Sequence, residues 1–379
     1  MCVFIRAMKI SALQTFHLRP RWLLLRIETD AGIVGWGEPV LEARALTVEK
    51  AIEEIGRRLL GRDPTAIEAI WQDIYRGDFY RGGPILSSAL SGIEQALWDI
   101  KGKALGVPIH ELLGGPVRER IRLYGWLNVA STGDYVADVA RELGNREFTA
   151  YKFVPVPACE PLENPLFFDR VVETVAGLRE VLGPETDMAL DFHGRCSPSV
   201  AKRLCRELEP FRPLFIEEPV LPTNPRALRE LRESTVIPIA AGERLFTRWD
   251  YADLLQAQAV HLIQPDLSHC GGIFEARKIA AMAEIHDIAV APHCPLGPVA
   301  LAACLQLDAC IPNFFCQEHL TLGESLLAEP IRVENGYALL PEGPGLGVEI
   351  DESKLSALLF DGVWDTPRLY RKDGSLAEW

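Results

Sequence analysis

The sequence predicts an α/β protein of the TIM-barrel type, preceded by an α+β region. Three observations predict it. Eight short apolar strands can be read between residues 121 and 317, most of them separated by a helix-like stretch. Three of those strands end on an acid. No Gly-rich phosphate loop follows the first of them, as a doubly wound sheet would want.

Trp22–Thr29 reads as a strand, Asp30-Ala-Gly32 as a turn, and Ile33–Gly37 as the return, so residues 9–38 suggest two antiparallel strands. Thr47–Leu60 has apolar residues at helical spacing. Ser87–Leu105 does too, with Ala89, Leu90, Ile93, Leu97, Ile100 and Ala104 on one face, and Gly106-Val-Pro108 stops it. From about residue 119 the pattern changes. Strands are expected at 121–127, 149–154, 187–192, 214–217, 239–241, 260–264, 288–291 and 314–317, with helices such as Ser199–Leu208 and Gly272–His286 between them. From about residue 326 the chain returns to mixed short segments. Gly343-Pro-Gly-Leu-Gly347 is a turn-rich loop, since no strand and helix frame it.

At 379 residues the chain has room for one large barrel and a smaller domain. Apolar residues are 48% and charged residues 24%, ordinary for a soluble enzyme. No run of about 18 uncharged apolar residues occurs, so no membrane span is expected. Residues 1–7 are too short for a secretory leader, and Met8 reads as the natural start. The nine cysteines form no CxxC, which fits free, buried thiols in a reducing cytoplasm. A net charge of −14 argues against nucleic acid and anionic membranes as partners. It leaves room for a small anionic substrate, because a local metal ion dominates the field at short range.

The acids are Asp191, the Glu217-Glu218 pair and Glu243, with 26 residues between successive members when Glu217 is counted. That is about one strand–helix repeat, so three acids at equivalent depths would converge on the C-terminal mouth, where barrel enzymes keep their chemistry. Three unpartnered carboxylates cannot share a site without a cation, and oxygen-only ligands favour Mg²⁺ first and Mn²⁺ second. Because a strand alternates its side chains, only one of Glu217 and Glu218 can face the mouth. His193 lies two residues past Asp191, on the same side of an extended strand. His293 ends the seventh strand, opposite the third, so the two imidazoles would flank the metal. Asp266 ends the sixth strand and can bond one nitrogen of His293, fixing its tautomer. Histidine is the side chain suited to proton transfer near neutral pH. His17, His110, His261 and His286 read as ordinary polar or core residues, while His269 and His319 stay open.

Several motifs carry a family likeness: Gly35-Trp-Gly-Glu-Pro39, Phe79-Tyr-Arg-Gly-Gly-Pro84, Gln95-Ala-Leu-Trp-Asp-Ile-Lys-Gly-Lys103, Leu190-Asp-Phe-His-Gly-Arg195, Phe215-Ile-Glu-Glu-Pro-Val220, Ala240-Ala-Gly-Glu-Arg244, Gln264-Pro-Asp-Leu-Ser-His269, Ala291-Pro-His-Cys294 and the terminal Ala377-Glu-Trp379. Over nearly its whole length the chain resembles the mandelate racemase subgroup of the enolase superfamily, the galactonate dehydratases above all. The resemblance implies a modified (β/α)₇β barrel at 119–325, an α+β capping domain at 1–118, and a C-terminal segment at 326–379 that completes it. It implies a homo-oligomer and a Mg²⁺-dependent acid-sugar dehydratase. Asp191, Glu217 and Glu243 would be the metal ligands, His293 the base oriented by Asp266, and His193 the acid. Glu318 would bond the carboxylate region of the substrate. The C2 proton and the C3 hydroxyl would leave, giving a 2-keto-3-deoxy acid. Arg21, Tyr80 and Arg81 lie on loops of the capping domain that would touch distal hydroxyls.

One departure matters. Racemases of the subgroup carry Lys-x-Lys on the second strand, where this chain has Lys152-Phe-Val154. Without the second Lys a second base is missing, which favours elimination. Lys152 would lie near the substrate carboxylate or the metal acids, or serve only the barrel wall. Mannonate dehydratases would need a Tyr/Arg pair in residues 155–170, and none stands there. The alternatives are an epimerase working from His293 and Lys152, or a non-catalytic metal-binding barrel.

Overall fold

The computed structural model describes residues 7–127, 134–143, 148–320 and 324–379, so all but one of the residues ahead of Met8 lie outside the described residues. The first region opens with an antiparallel sheet of β1 (Ile10–Leu18), β2 (Trp22–Thr29) and β3 (Val34–Gly37). Where the sequence pattern suggests two strands over residues 9–38, there are three. β1 escapes because only its end residues, Ile10 and Leu18, are fully buried, so its apolar alternation is weak. Helices α1 (Ala45–Gly56), α2 (Ile67–Arg76), α3 (Gly83–Leu105) and α4 (Ile109–Leu112) follow.

α3 is the pivot of this region. Pro84 opens it and Gly106, in the left-handed conformation, closes it. It is buried nearly all round, as a helix between two layers must be. One face packs on the small sheet at very short range. A Cβ on Gly35 would fall 2.1 Å from the Ala96 carbonyl oxygen, and one on Gly37 would fall 2.0 Å from that of Gly92. The Gly-Trp-Gly motif is therefore a packing requirement.

The other face of α3 carries polar groups into the second region. Glu94 accepts the Ile273 and Phe274 amides at 2.7 and 2.9 Å. Asp99 accepts Trp36 N at 3.0 Å and Leu346 N at 2.9 Å, tying the C-terminal segment to the first. Glu38, just past β3, accepts Gly297 N and Ala300 N at 2.7 and 2.9 Å. Each of these acids caps backbone donors that burial would otherwise orphan.

The barrel strands are β4 (Arg120–Trp126), β5 (Ala150–Phe153), β6 (Asp187–Asp191), β7 (Ile216–Glu217), β8 (Ile239–Ala241), β9 (Leu262–Ile263), β10 (Ala289–Val290) and β11 (Gln317–His319). The helices between them are α5 (Tyr135–Leu143), α6 (Pro165–Leu182), α7 (Pro198–Leu208), α8 (Pro225–Arg232), α9 (Arg248–Gln256), α10 (Ile273–Glu284) and α11 (Pro298–Asp308). Neighbouring strands pair in parallel from β4 to β10. β11 pairs with β4, and a parallel bridge between Val290 and Phe314 closes the ring. Eight strands with seven intervening helices make the expected (β/α)₇β barrel. Each strand or its flank gives one residue to the interior: Tyr124, Ala150, Ala189, Phe215, Ala240, Leu262, Ala291 and Cys316. Five of these are small, which leaves room above them for large polar side chains.

Beyond the barrel, β12 (Val333–Glu334) and β13 (Tyr337–Leu339) add an antiparallel hairpin to β4, and α12 (Glu352–Leu358) runs near β1. No helix among the described residues is long and apolar enough to cross a membrane. The eight described cysteines are free and buried.

Gly37→Ala tests the α3 contact. The added methyl meets backbone, which cannot rotate away, so a loss of about 1–3 kcal/mol is expected. A urea unfolding curve with an unchanged midpoint would contradict this packing.

Candidate active site

Asp191 and Glu217 are the last residues of β6 and β7 and stand level in register. Glu243 is not at the same depth. The residue level with Glu217 on β8 is Ala240, three positions earlier. Gly242, at φ +144°, turns the chain, and its carbonyl is held by the Tyr251 hydroxyl at 2.7 Å. This turn, rather than strand register, presents Glu243 to the mouth.

Lys152 on β5 is the cation around which the acids gather. Its Nζ lies 3.0 Å from Glu217 Oε2, 3.3 Å from Asp191 Oδ2 and 2.7 Å from Glu318 Oε1, with 1% of the residue exposed. Burial alone would lower this ammonium, but Glu217, Glu318 and Asp191 hold it well above its ordinary value. Burial and the Asp191 charge push Glu217 well up. Burial would raise Asp191 as well, but His193 and Lys152 bring it down to about 2. The other Oε of Glu318 accepts Cys294 N at 2.8 Å.

Of the Glu217-Glu218 pair, Glu217 faces Lys152. Glu218, at φ +38°, turns the other way and pairs with Arg244, which also donates to the His193 carbonyl at 3.1 Å. Burial and the Glu243 charge push Glu218 up to about 8, and Arg244 opposes them.

His193 reaches the acids, but not by strand periodicity. β6 ends at Asp191, and His193 sits at φ +50° in a left-handed turn. Its Nε2 is 3.1 Å from Asp191 Oδ2. Its Nδ1 is 3.2 Å from Arg195 Nη2, which can only donate, so Nδ1 accepts and Nε2 carries the hydrogen. His293 stands at the Glu243 end. Nε2 lies 2.9 Å from Glu243 Oε2 and Nδ1 lies 2.8 Å from Asp266 Oδ2. Burial would lower this imidazole, but Glu243, Glu318 and Asp266 raise it well above its ordinary value. Asp266 also accepts Ser268 N at 2.7 Å, and His269 lies 3.4 Å away with its Nε2 on the Val40 carbonyl.

Two sets of groups could hold a metal ion. Asp266, His269 and His293 have ligand atoms within 4.8 Å of one another. Their atoms are already committed to Ser268, Val40 and each other, which is the pattern of an orienting chain. Asp191, Glu217 and Glu243 fit a hard cation better. They are carboxylates in excess over the nearby ammonium, and buried Asp191 Oδ2 has no aligned hydrogen bond despite its neighbours.

The loop residues divide. Arg21 approaches the His293 loop, donating to the Pro295 carbonyl at 3.0 Å while pairing with Glu42 at 2.9 Å. Tyr80 and Arg81 are exposed and line a cavity with Ala51, Glu54, Arg58 and Asp78, to which Asp191, Glu217, Glu243 and Glu318 do not contribute. Val154 lines a cavity of about 650 Å³ with Tyr135, Arg195 and Tyr370. Sequence reasoning missed the roles of Arg195 and Arg244, although both stand inside the motifs quoted for their acids and histidine. It also gave no contact to Trp379, whose ring lies against His193.

Residues 5–114 match the family described as mandelate racemase/muconate lactonizing enzyme, N-terminal domain, and residues 134–354 match the enolase C-terminal domain-like family. The chain is 48% identical over 386 aligned positions to D-galactonate dehydratase of Variovorax paradoxus (strain S110), covering 98% of this chain and all of the relative. D-galactonate dehydratase of Cronobacter sakazakii (strain ATCC BAA-894) matches with the same identity and coverage. Among solved structures, a member of the enolase superfamily from Salmonella Typhimurium superposes with a TM-score of 0.86 at 31% identity, over 93% of this chain and 98% of that one. An enolase from Agrobacterium radiobacter, solved with Na and L-malate bound, gives 0.91 at 29% identity, over 98% and 100%.

Replacing Arg244 with Met would strand a buried carboxylate beside two others. A loss of about 3 kcal/mol is expected, with more than about 1 kcal/mol recovered when Glu218→Gln is added. Additive losses in urea unfolding would show that Arg244 does not serve Glu218.

Proposed function

Because the chain belongs to the mandelate racemase/muconate lactonizing enzyme family of the enolase superfamily, we propose that it is a Mg²⁺-dependent sugar-acid dehydratase, with D-galactonate the first substrate to try. The observation that carries the reading is the gathering of three carboxylates, two at strand ends and one on the turn past β8, with an Asp266–His293 dyad at one barrel mouth. The identity to D-galactonate dehydratases over almost the full length supports it. A small hydroxy acid, L-malate, is bound in one structural neighbour, which suits an acid substrate.

Asp191, Glu217 and Glu243 would hold Mg²⁺. Bound there, the ion supplies positive charge against the second negative charge that forms when a carboxylate loses its α proton. The protein's own groups do the rest. Asp266 fixes His293 by Nδ1, and with Glu243 taken up as a metal ligand Nε2 would be left free to take the C2 proton. His193 gives a proton from Nε2 to the C3 hydroxyl, which leaves as water. The C2–C3 enol that remains gains a proton at C3, gives up the proton of its C2 hydroxyl and becomes the 2-keto-3-deoxy acid. Lys152 and Glu318, bonded to each other, border the space for the substrate carboxylate.

Elimination fits these residues better than epimerisation. Lys152 is occupied by Glu217, Asp191 and Glu318, and Val154 offers no second base. Arg21, bonded to the Pro295 carbonyl, would orient the His293 loop.

A panel of sugar acids incubated with Mg²⁺ should yield 2-keto-3-deoxy product, and chelation should abolish turnover until Mg²⁺ is restored. His293→Asn should lower kcat by about 10²–10⁴-fold. Full turnover in that variant would refute the assignment. Deuterium appearing in recovered acid of inverted configuration, without keto product, would favour the epimerase.

A further inference from the structure

We infer that the C-terminal tail is part of the site and that Trp379 is a positioning residue for His193. The inference rests on the reading of His193 as the acid. The tail is built to arrive there. Leu369 to Ala377 form a small hairpin: Ala377 N donates to the Leu369 carbonyl at 2.9 Å, Arg371 N to Ser375 at 2.8 Å, and Tyr370 bridges Leu376. Asp373-Gly374 makes the turn, with Gly374 at φ +83° and the Asp373 carboxylate on Ser375 N at 2.9 Å. The hairpin is clipped to the loop after β5. Arg371 Nε donates to the Cys159 carbonyl at 3.3 Å and Lys372 N to Glu160 at 3.1 Å.

From that anchor the chain ends on the histidine. The Trp379 and His193 ring centroids are 4.8 Å apart with their planes tilted by 35°. The Arg195 guanidinium lies over the same indole at 5.9 Å, and Arg195 in turn holds the Val156 carbonyl and His193 Nδ1. Trp126 meets the imidazole edge-on at 6.5 Å.

The need for this support follows from the chemistry. Nε2 of His193 now rests on Asp191. To protonate a leaving hydroxyl it must turn away from that carboxylate, and the ring then loses one of its two edge contacts. What remains is Arg195 at Nδ1 and the aromatic packing on its face. A proton donor that is misaimed by a fraction of its bond reach transfers poorly, and small misplacements cost about 100-fold. Abstraction of the C2 proton by His293 draws on a different set of contacts, Asp266 and Glu243, and does not pass through Trp379.

The test separates the two half-reactions. Wild type, Trp379→Ala and Trp379→Phe are incubated in D₂O with Mg²⁺ and the sugar acid that wild type dehydrates best. Keto product and deuterium at C2 of unreacted acid are both measured. For Trp379→Ala, kcat should fall about 10–100-fold, with KM changed by less than about 3-fold. C2 deuterium should accumulate without inversion, because proton abstraction outlives elimination. Trp379→Phe should recover most of the loss. As Trp379 is 38% exposed, the melting temperature should stay within about 2 °C. Wild-type turnover in Trp379→Ala overturns the inference, and so does a parallel loss of exchange and elimination. A wild type that dehydrates no sugar acid overturns the underlying reading instead.

Discussion

Everything at the barrel mouth answers to one constraint: too many carboxylates in a space that excludes water. Asp191, Glu217, Glu243 and Glu318 face it together, and Glu218 sits just behind. Desolvating one carboxylate is costly, and placing like charges beside it costs more. The fold answers with cations of fixed reach. Lys152 touches three acids, Arg244 takes Glu218, and His293 takes Glu243. The cations do not balance the acids: burial and the Asp191 charge drive Glu217 up, while, against burial, His193 and Lys152 hold Asp191 down and His293 holds Glu243 down. A site left in that condition suits a divalent cation and an anionic ligand that binds on it.

The capping region serves the same site from behind. Gln95 on α3 donates to the Leu267 carbonyl at 3.0 Å and accepts Glu38 N at 2.9 Å, and His269 bonds the Val40 carbonyl. The loop that carries Asp266 is thus pinned by the first region. Glu38 caps α11, which follows the His293 loop, and Glu94 caps α10, which follows the Asp266 loop. The dyad owes its geometry to contacts between regions, so packing in one region sets the placement of side chains in the other. Buried polar networks of this kind hold position strictly because each member would be expensive to orphan.

Much of this was legible in the sequence, for identifiable reasons. The eight strands announce themselves as short apolar runs at a repeat length, and buried strands read cleanly. Asp191, Glu217, His293 and Asp266 were found by asking what stands at each strand end, and the structure brings them together. The errors have a common origin. Register predicts the place of Glu243 and alternation that of His193, yet both are delivered by left-handed or glycine turns past the strand ends. Periodicity stops being a guide where the strand stops. β1 escapes periodicity because it buries only its ends. Trp379 stood in a quoted motif, but no local rule says which distant ring a chain terminus will meet.

Val154 and Lys152 show how the same barrel can be steered between outcomes. A carbanion formed at C2 can be reprotonated from the opposite face or lose a group at C3. Reprotonation needs a second base beyond β5. There the chain has Val154, its amide held by the Tyr135 hydroxyl at 3.3 Å, and a proline-rich loop lining an open cavity. Loss at C3 needs a proton donor on the β6 side. There the chain has His193, fixed by Asp191, Arg195 and the terminal indole. On the proposed reading the asymmetry lies in two adjacent strands: Val154 offers no proton-transfer group past β5, and His193 is braced past β6. Elimination is what such an arrangement leaves open.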